Sequence, residues 1–382
     1  MIRRLFSTSK KTFKADKLQI NKAAYLTPNF PKENLPFGAI STPHMLRINW
    51  NEKDGWEAPV ISPLANLSLH PFNSTLHYAI SCFEGLKVFK DEKGQIRLFR
   101  IDRHARRFNE SCHRLSLPTF DENEFIKLIK IYANLERDWV PPHEGSSLYV
   151  RPLGMSNTNV LGVHPAIKSS ILVMACPVSA YFPKKDEGTK KKSGLFLGVN
   201  ETYWRGTPHS ASQYKIASNY APTISILQDD EKHGFSQTVW TYDENLLESG
   251  ATNLFFVLKT PKGEELVTHP LDGSVLPGIT RDSIIALAEK IQPGIKVCQR
   301  AFKIPEFIEK HKKKEIKEVF VSGTGAVTGA VECLKIRGHH YKMEIDEEHN
   351  KFSTNAKKLL FAIQYGKIEH EYSVLVDKET KS

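Results

Sequence analysis

The stretch "GTPHSASQYKIASNYAPTISILQ", residues 206–228, holds a single charged side chain, Lys215, in 23 positions. A quarter of the 382-residue chain is Asp, Glu, Lys or Arg, so composition alone would put about six charges there. An ammonium among uncharged groups loses hydration when charged, and it relieves that cost by lowering its pKa. The neutral amine is then a nucleophile, used most commonly to form a Schiff base with a carbonyl. An exposed lysine on a polar Ser/Gln/Asn loop would give the same local pattern, so the company this residue keeps must decide.

Further along, "NLLESGATNLFF" (245–256) sets Glu248 between an apolar pair and a small-residue turn that leads into an apolar strand. A carboxylate held there at the edge of a core suits an aromatic nitrogen that must stay protonated, although an ordinary turn glutamate would look alike. "LPGITRDS" (276–283) brings a Pro-Gly turn to a helix start, where Thr280 can be the N-cap and Asp282 falls in the first turn. Backbone N–H groups at such a start can receive an anion. "VFVSGTGAVTGA" (319–330) adds a glycine-rich turn after a strand, a second backbone cradle or simply a bulged turn. Arg107 sits in the basic cluster Arg103, Arg106, Arg107 on a helix and can meet a phosphate with two N–H groups, its two neighbours being solvated. Amine, acid, arginine and amide cradles together describe a phosphate-bearing aldehyde cofactor, pyridoxal 5′-phosphate.

Composition narrows the alternatives. The length calls for two domains, and no run approaches the roughly 18–20 apolar residues of a membrane span. Five basic residues and no acid in "MIRRLFSTSKKTFK" supply half of the net charge of +10, which removes most of the case for nucleic acid. That arm, residues 1–14, has the composition of a mitochondrial transit segment. Cys82, Cys112, Cys176, Cys298 and Cys333 lack the close spacing of a metal or dithiol site and read as free, mostly buried thiols.

The organisation is mixed α and β. "GLKVFKDEKGQIRLFR" (85–100) reads as a hairpin turning at Gly94. A helix follows with Ala105, Phe108, Cys112 and Leu115 on one face, stopped by Pro118. A second helix spans about 121–137 and aligns Phe125, Leu128, Ile129, Tyr132 and Leu135. Two strands, "SSLYVRPL" and "SSILVMACPV", complete this part. "PKKDEGTKKKSG" is a charged linker, so a small N-terminal domain (36–180), a linker (181–194) and a larger C-terminal domain (195–382) are expected. In the latter, a helix over about 222–233 closes at Gly234, strands lie near "QTVWTY", "NLFFVLK" and "EVFVS", and helices begin at "ITRDSIIALAEKI" and near 353–365.

Eight motifs in order, "LHYAISCFEGLKVFK", "RRFNESCHRLSLP", "SLYVRPLG", "CPVSAYFP", "YKIASNYAP", "LLESGATNLFF", "LPGITR" and "VFVSGTGAV", resemble the branched-chain-amino-acid aminotransferases. These are class IV, fold-type IV pyridoxal-phosphate enzymes, and the resemblance covers Pro36 to Tyr372. It implies a two-domain α+β or α/β fold with a β-barrel-like core in the larger domain. It also implies an obligate homodimer whose sites lie at the domain and subunit boundary.

Position by position, the resemblance implies that Lys215 holds pyridoxal 5′-phosphate as a Schiff base and shuttles the substrate α-proton. Glu248 would serve the pyridine nitrogen and Tyr220 the ring oxygen; Arg107, Thr324 and the amides of Ile279 and Thr280 would serve the phosphate. Tyr149, Arg151 and the Thr324–Gly325 amides match the substrate end, Phe83 and Tyr181 its apolar walls, and Tyr78 a residue given by the other subunit. Arg205 matches an arginine of the active-site region. The implied reaction moves the amino group of L-leucine, L-isoleucine or L-valine to 2-oxoglutarate by ping-pong turnover. Ala251 stands where animal relatives carry threonine, and Ala326 and Gly329 replace a C-x-x-C pair, so no redox switch is inferred there. D-amino-acid aminotransferases and aminodeoxychorismate lyases share the fold. A nicotinamide dehydrogenase built on "VSGTGAVTGA" lacks the following helix, since "VECLKIRGHHYK" reads as strand.

Overall fold

The hairpin expected at 85–100 forms: strands Leu86–Lys90 and Ile96–Phe99 pair antiparallel around a turn in which Gly94 takes φ +72°. Asp91 Oδ1 accepts from the N–H groups of Lys93 and Gln95 and fixes the turn from its first residue. The structure, a computed structural model, describes residues 12–28, 37–179, 194–345 and 349–376. The basic arm up to residue 11, Tyr181 and nearly all of the expected linker lie outside the described residues. Among the described residues no helix is long and apolar enough to cross a membrane.

Two compact units divide the chain: Met1–Ser179 with Tyr214–Ser218 and Ile363–Ser382, and Ala180–Gln213 with Asn219–Ala362. The expected C-terminal domain of 195–382 is thereby corrected: 214–218 and 363–382 belong to the first unit, the latter through strand Ser373–Val376 paired with Ile96–Phe99. The hairpin belongs to the ten-stranded sheet of the first unit, whose long central pair is Ser147–Ser156 and Lys168–Val178, antiparallel over its whole length. Nearly every residue of that pair is buried, which explains the continuous apolar reading of "ILVMAC". The short strand Ser81–Phe83 is hydrogen-bonded to Ser147–Ser156.

Helix Ile101–Arg114 buries Ala105, Phe108 and Cys112, as their spacing predicts, whereas Leu115, expected with them, is half-buried just past the helix end; the same face carries His104, Arg107 and Ser111. Helix Glu122–Leu135 starts at Asp121, whose Oδ1 accepts from the Asn123 and Glu124 N–H groups, a cap worth about 1 kcal/mol. Its buried face is Phe125, Leu128, Ile129, Tyr132 and Ala133; Leu135, expected on that face, is half-buried because the helix ends there.

The second unit is built on a nine-stranded sheet. Strands Leu195–Asn200, Gln237–Tyr242, Asn245–Ser249, Thr252–Thr260, Ile316–Gly323 and Val327–Ile336 pair in a closed circuit, a six-stranded barrel. Alternate residues, Leu254, Phe256 and Leu258 facing Val319 and Val321, collect in one core with Phe302 and Phe307. The expected helix at 222–233 is a short 3₁₀ turn leading into Ile224–Lys232, followed by Gly234 at φ +82°.

Two expectations at the "LPGITRDS" helix also need correction. Thr280 is not an N-cap: Gly278 is, because its carbonyl already accepts from the Asp282 N–H at 2.9 Å, so the helix begins at Ile279. That helix also breaks at Leu287 into Ile279–Ala286 and Ala288–Ile291, rather than running through "ITRDSIIALAEKI".

Burial raises two carboxyls to which the sequence motifs assign no role. Glu136 is pushed up to about 8 by burial, and Glu318 to about 7. Ala23 N–H donates to His44 Nε2 at 2.8 Å, so His44 Nδ1 carries the proton it directs at Glu136 Oε1, 2.7 Å away. A carboxyl raised above its unfolded value stabilises the fold fully below about pH 4.5, and that contribution is lost as pH rises through the folded value. Denaturant titrations should therefore show stability falling between pH 5 and pH 8, and Glu136→Gln should flatten the profile. An E136Q slope equal to that of the parent would contradict this assignment.

Candidate functional site

In the first unit the Lys215 segment is annealed to strand Ser81–Phe83. Ile216 bridges to Cys82, and the Phe83 N–H donates to the Lys215 carbonyl at 3.0 Å. From the other side, the Lys215 N–H donates to Ser111 Oγ at 3.0 Å. Lys215 Nζ lies 4.6 Å from the centre of the Phe83 ring, within cation–π range. Phe83, expected as an apolar wall, thus touches both the backbone and the tip of the lysine. Its ring also takes the Arg151 guanidinium at 4.6 Å, and Arg151 Nη2 donates to the Tyr149 hydroxyl at 3.2 Å. Tyr78 closes the short helix Ser74–Tyr78, and its hydroxyl accepts from the Gly162 N–H at 3.0 Å.

Arg107 is buried while Arg103 and Arg106 are exposed, as expected. Its Nε and Nη2 fork onto Glu84 at 2.8 and 2.6 Å. Burial alone would push the Glu84 carboxyl up, but Arg107 and His104 beside it hold it well below the usual carboxylate range. His104 itself is lowered, chiefly by burial. Breaking such a buried pair from one side costs about 3–5 kcal/mol, because the other charge is left uncompensated. Sequence reasoning does not single out Glu84, His104 or Ser111. The available signals are a lone acid in the apolar run "CFEGLKV", and spacings of three and four residues on either side of Arg107.

The second unit gathers Arg205, Tyr220 and Glu248. Arg205 Nη1 and Glu248 Oε1 form an ion pair with both side chains 2% exposed, and the Arg205 guanidinium lies 5.6 Å from the Tyr220 ring centre. The other Glu248 oxygen accepts from the Leu276 N–H at 3.3 Å. Asn253, paired across the strands with Glu248, donates from Nδ2 to the Leu276 carbonyl at 2.9 Å. A Cβ on Gly278 would collide with the Asn253 amide oxygen, so glycine is required at the entry to helix Ile279–Ala286. Glu248, Leu276 and Asn253 are therefore linked by hydrogen bonds just ahead of the helix whose first two N–H groups, those of Ile279 and Thr280, lack intrahelical acceptors. Thr324 and Gly325 occupy the turn between strands Ile316–Gly323 and Val327–Ile336. Because a strand follows this glycine-rich turn, it is a β-hairpin and not a dinucleotide-binding element.

Residues 81–334 match the profile of the family described as amino-transferase class IV. A branched-chain-amino-acid aminotransferase of Dictyostelium discoideum is 37% identical over 98% of both chains. The chain belongs to the class IV aminotransferase family. It is accordingly an aminotransferase. The mitochondrial branched-chain-amino-acid aminotransferase of Bos taurus is 37% identical over 96% of this chain and 92% of its own. The cytosolic one of Rattus norvegicus is 36% identical over 95% and 88%.

Solved branched-chain aminotransferase structures share the fold. The branched-chain aminotransferase of Escherichia coli superposes with a TM-score of 0.67 at 22% identity, covering 83% of this chain and 97% of its own. That of Thermobaculum terrenum, solved in its PLP-form, gives 0.66 at 17% identity, with 88% and 99% covered. The two-domain, barrel-containing architecture expected from the motifs is thus the one observed in this class IV aminotransferase.

Proposed function

We propose that this aminotransferase moves the amino group of L-leucine, L-isoleucine or L-valine to 2-oxoglutarate, with pyridoxal 5′-phosphate as cofactor. The observation that carries the reading is Lys215, fixed through its backbone N–H and C=O with Nζ against an aromatic ring. Near-full-length similarity to relatives named for branched-chain substrates supports the substrate class.

The donor set fits the cofactor. Helix Ile279–Ala286 begins behind a glycine whose Cβ position is filled by Asn253, and it offers two amides to an anion. Bound there, the cofactor supplies an electron sink for the pair left by the departing α-proton and a carrier for the amino group. Lys215 Nζ would hold it covalently, release it to substrate, take the α-proton as general base and return it. The Glu248 carboxylate, aimed by Arg205 and the Leu276 N–H, would keep the ring nitrogen protonated. Tyr220 would donate to the ring oxygen. Arg107, its Nε–Nη2 edge held by Glu84, would join Thr324 and the Ile279 and Thr280 amides in binding the phosphate. Tyr149, Arg151 and the Thr324–Gly325 amides would orient the substrate carboxylate, with Phe83, Tyr181 and Tyr78 walling its side chain. An aromatic pocket of this kind rewards each methylene by only about 1–3 kcal/mol, so the three branched-chain substrates should be accepted together.

The enzyme is proposed to be a homodimer. Phe72 and Leu76, beside Tyr78, are 52% and 58% exposed, an apolar surface suited to a second copy. Sedimentation at assay concentration should give the mass of two chains, and a monomeric active enzyme would refute it. The basic, acid-free composition of the arm supports a mitochondrial location. Phe13, expected within the removed segment, is buried against Trp56 and Phe120, so the deletion that should leave the chain in the cytosol is that of residues 1–11.

A panel of L- and D-amino acids with 2-oxoglutarate tests the substrate assignment. Leucine, isoleucine and valine should lead, and aspartate or D-alanine outrunning leucine would overturn it. Glu248→Gln should still bind cofactor yet lose about 10²-fold or more in kcat, the loss being read at saturating cofactor. Near-parental turnover would show that the ring nitrogen has another partner.

A further inference from the structure

Ser111 is completely buried on helix Ile101–Arg114, one turn beyond Arg107, and its hydroxyl oxygen accepts the Lys215 N–H at 3.0 Å. We propose that Ser111 is a positioning residue for the reaction: it fixes the Lys215 backbone so that Nζ meets the substrate α-carbon. This rests on the role given to Lys215 above.

A lysine tip is four methylenes from its Cα, so small rotations of the backbone are magnified at Nζ. Two peptide planes set the direction of the Cα–Cβ bond. The plane after Lys215 is held by strand Ser81–Phe83, through the Phe83 N–H on the Lys215 carbonyl and the Cys82–Ile216 bridge. The plane before it is held by Ser111 Oγ. At the far end, the Phe83 ring faces Nζ. Ser111 is thus the attachment on the N-terminal side of Lys215, and it comes from a helix whose polar stripe, His104, Arg107 and Ser111, follows helical spacing. That stripe is rigidly placed, because His104 and Arg107 both reach the buried Glu84 carboxylate. Removing the hydroxyl would leave cofactor-binding side chains in place and widen the range of Nζ positions. A proton transfer that needs one narrow geometry is the step most sensitive to such widening.

Ser111→Ala tests this in the holoenzyme, with L-leucine and its α-deuterated form as substrates. We expect kcat to fall by about 10-fold or more, KM for leucine to stay within about 2-fold, and the deuterium isotope effect on kcat to rise as proton transfer becomes slower. A hydroxyl that only supports the fold would lower the active fraction and leave the isotope effect unchanged, and that result overturns the proposal. So does parental kcat with a parental isotope effect. Lys215→Ala is assayed in parallel: turnover in that variant overturns the reading beneath the proposal, whereas an inactive Lys215→Ala beside a parental Ser111→Ala overturns the positioning role alone. Should Ser111→Ala fail to fold, hydrogen exchange at the Lys215 amide of the unmodified holoenzyme decides. Protection of about 10²-fold or more supports the anchor, and exchange at the unprotected rate refutes it.

Discussion

Both backbone hydrogen-bonding groups of Lys215 are taken, the N–H by Ser111 Oγ and the C=O by the Phe83 N–H, and the surrounding architecture makes those two bonds possible. Strand Ser81–Phe83 can present its N–H only because it is itself held on Ser147–Ser156, at the centre of the first sheet. Ser111 reaches Lys215 only because Ala105, Phe108 and Cys112 seat helix Ile101–Arg114 along the same face. A flexible side chain is therefore made useful by a fixed backbone, which is how a scaffold gives precision to a long residue.

The second unit meets a different problem, that of keeping a carboxylate inside a protein, and the first unit meets it too. Burying Glu84 or Glu248 alone would cost several kcal/mol, and each is instead matched to an arginine and further hydrogen-bonded. In Glu248 the match also sets direction, because Arg205 holds one carboxylate oxygen and the Leu276 N–H the other. Charge satisfaction and orientation are then the same set of bonds.

Much of this is legible in the sequence, for identifiable reasons. The 85–100 hairpin, the helical face at 105, 108 and 112, and the buried strand "ILVMAC" each carry a local periodic signal with its own stop residue. The isolation of Lys215 in an uncharged segment is the sequence signal that directs attention to it. Thr280 misleads because a residue with N-cap chemistry lies two places after a glycine that can cap through backbone geometry alone. Glu84 and Ser111 escape notice because their local signals are weak and the residues they bond lie 23 and 104 positions away. Leu135 shows the complementary limit, since at the last position of its helix the phase still points inward while the side chain is only half-buried.

The central claim is that Lys215 is the residue through which the enzyme carries its cofactor. Reduction of the loaded enzyme with borohydride, followed by proteolysis and mass analysis, tests it most directly. A phosphopyridoxyl group confined to Lys215, with loss of activity in proportion to its incorporation, is the predicted result. Incorporation at another lysine, or retention of activity with Lys215 fully modified, would contradict it.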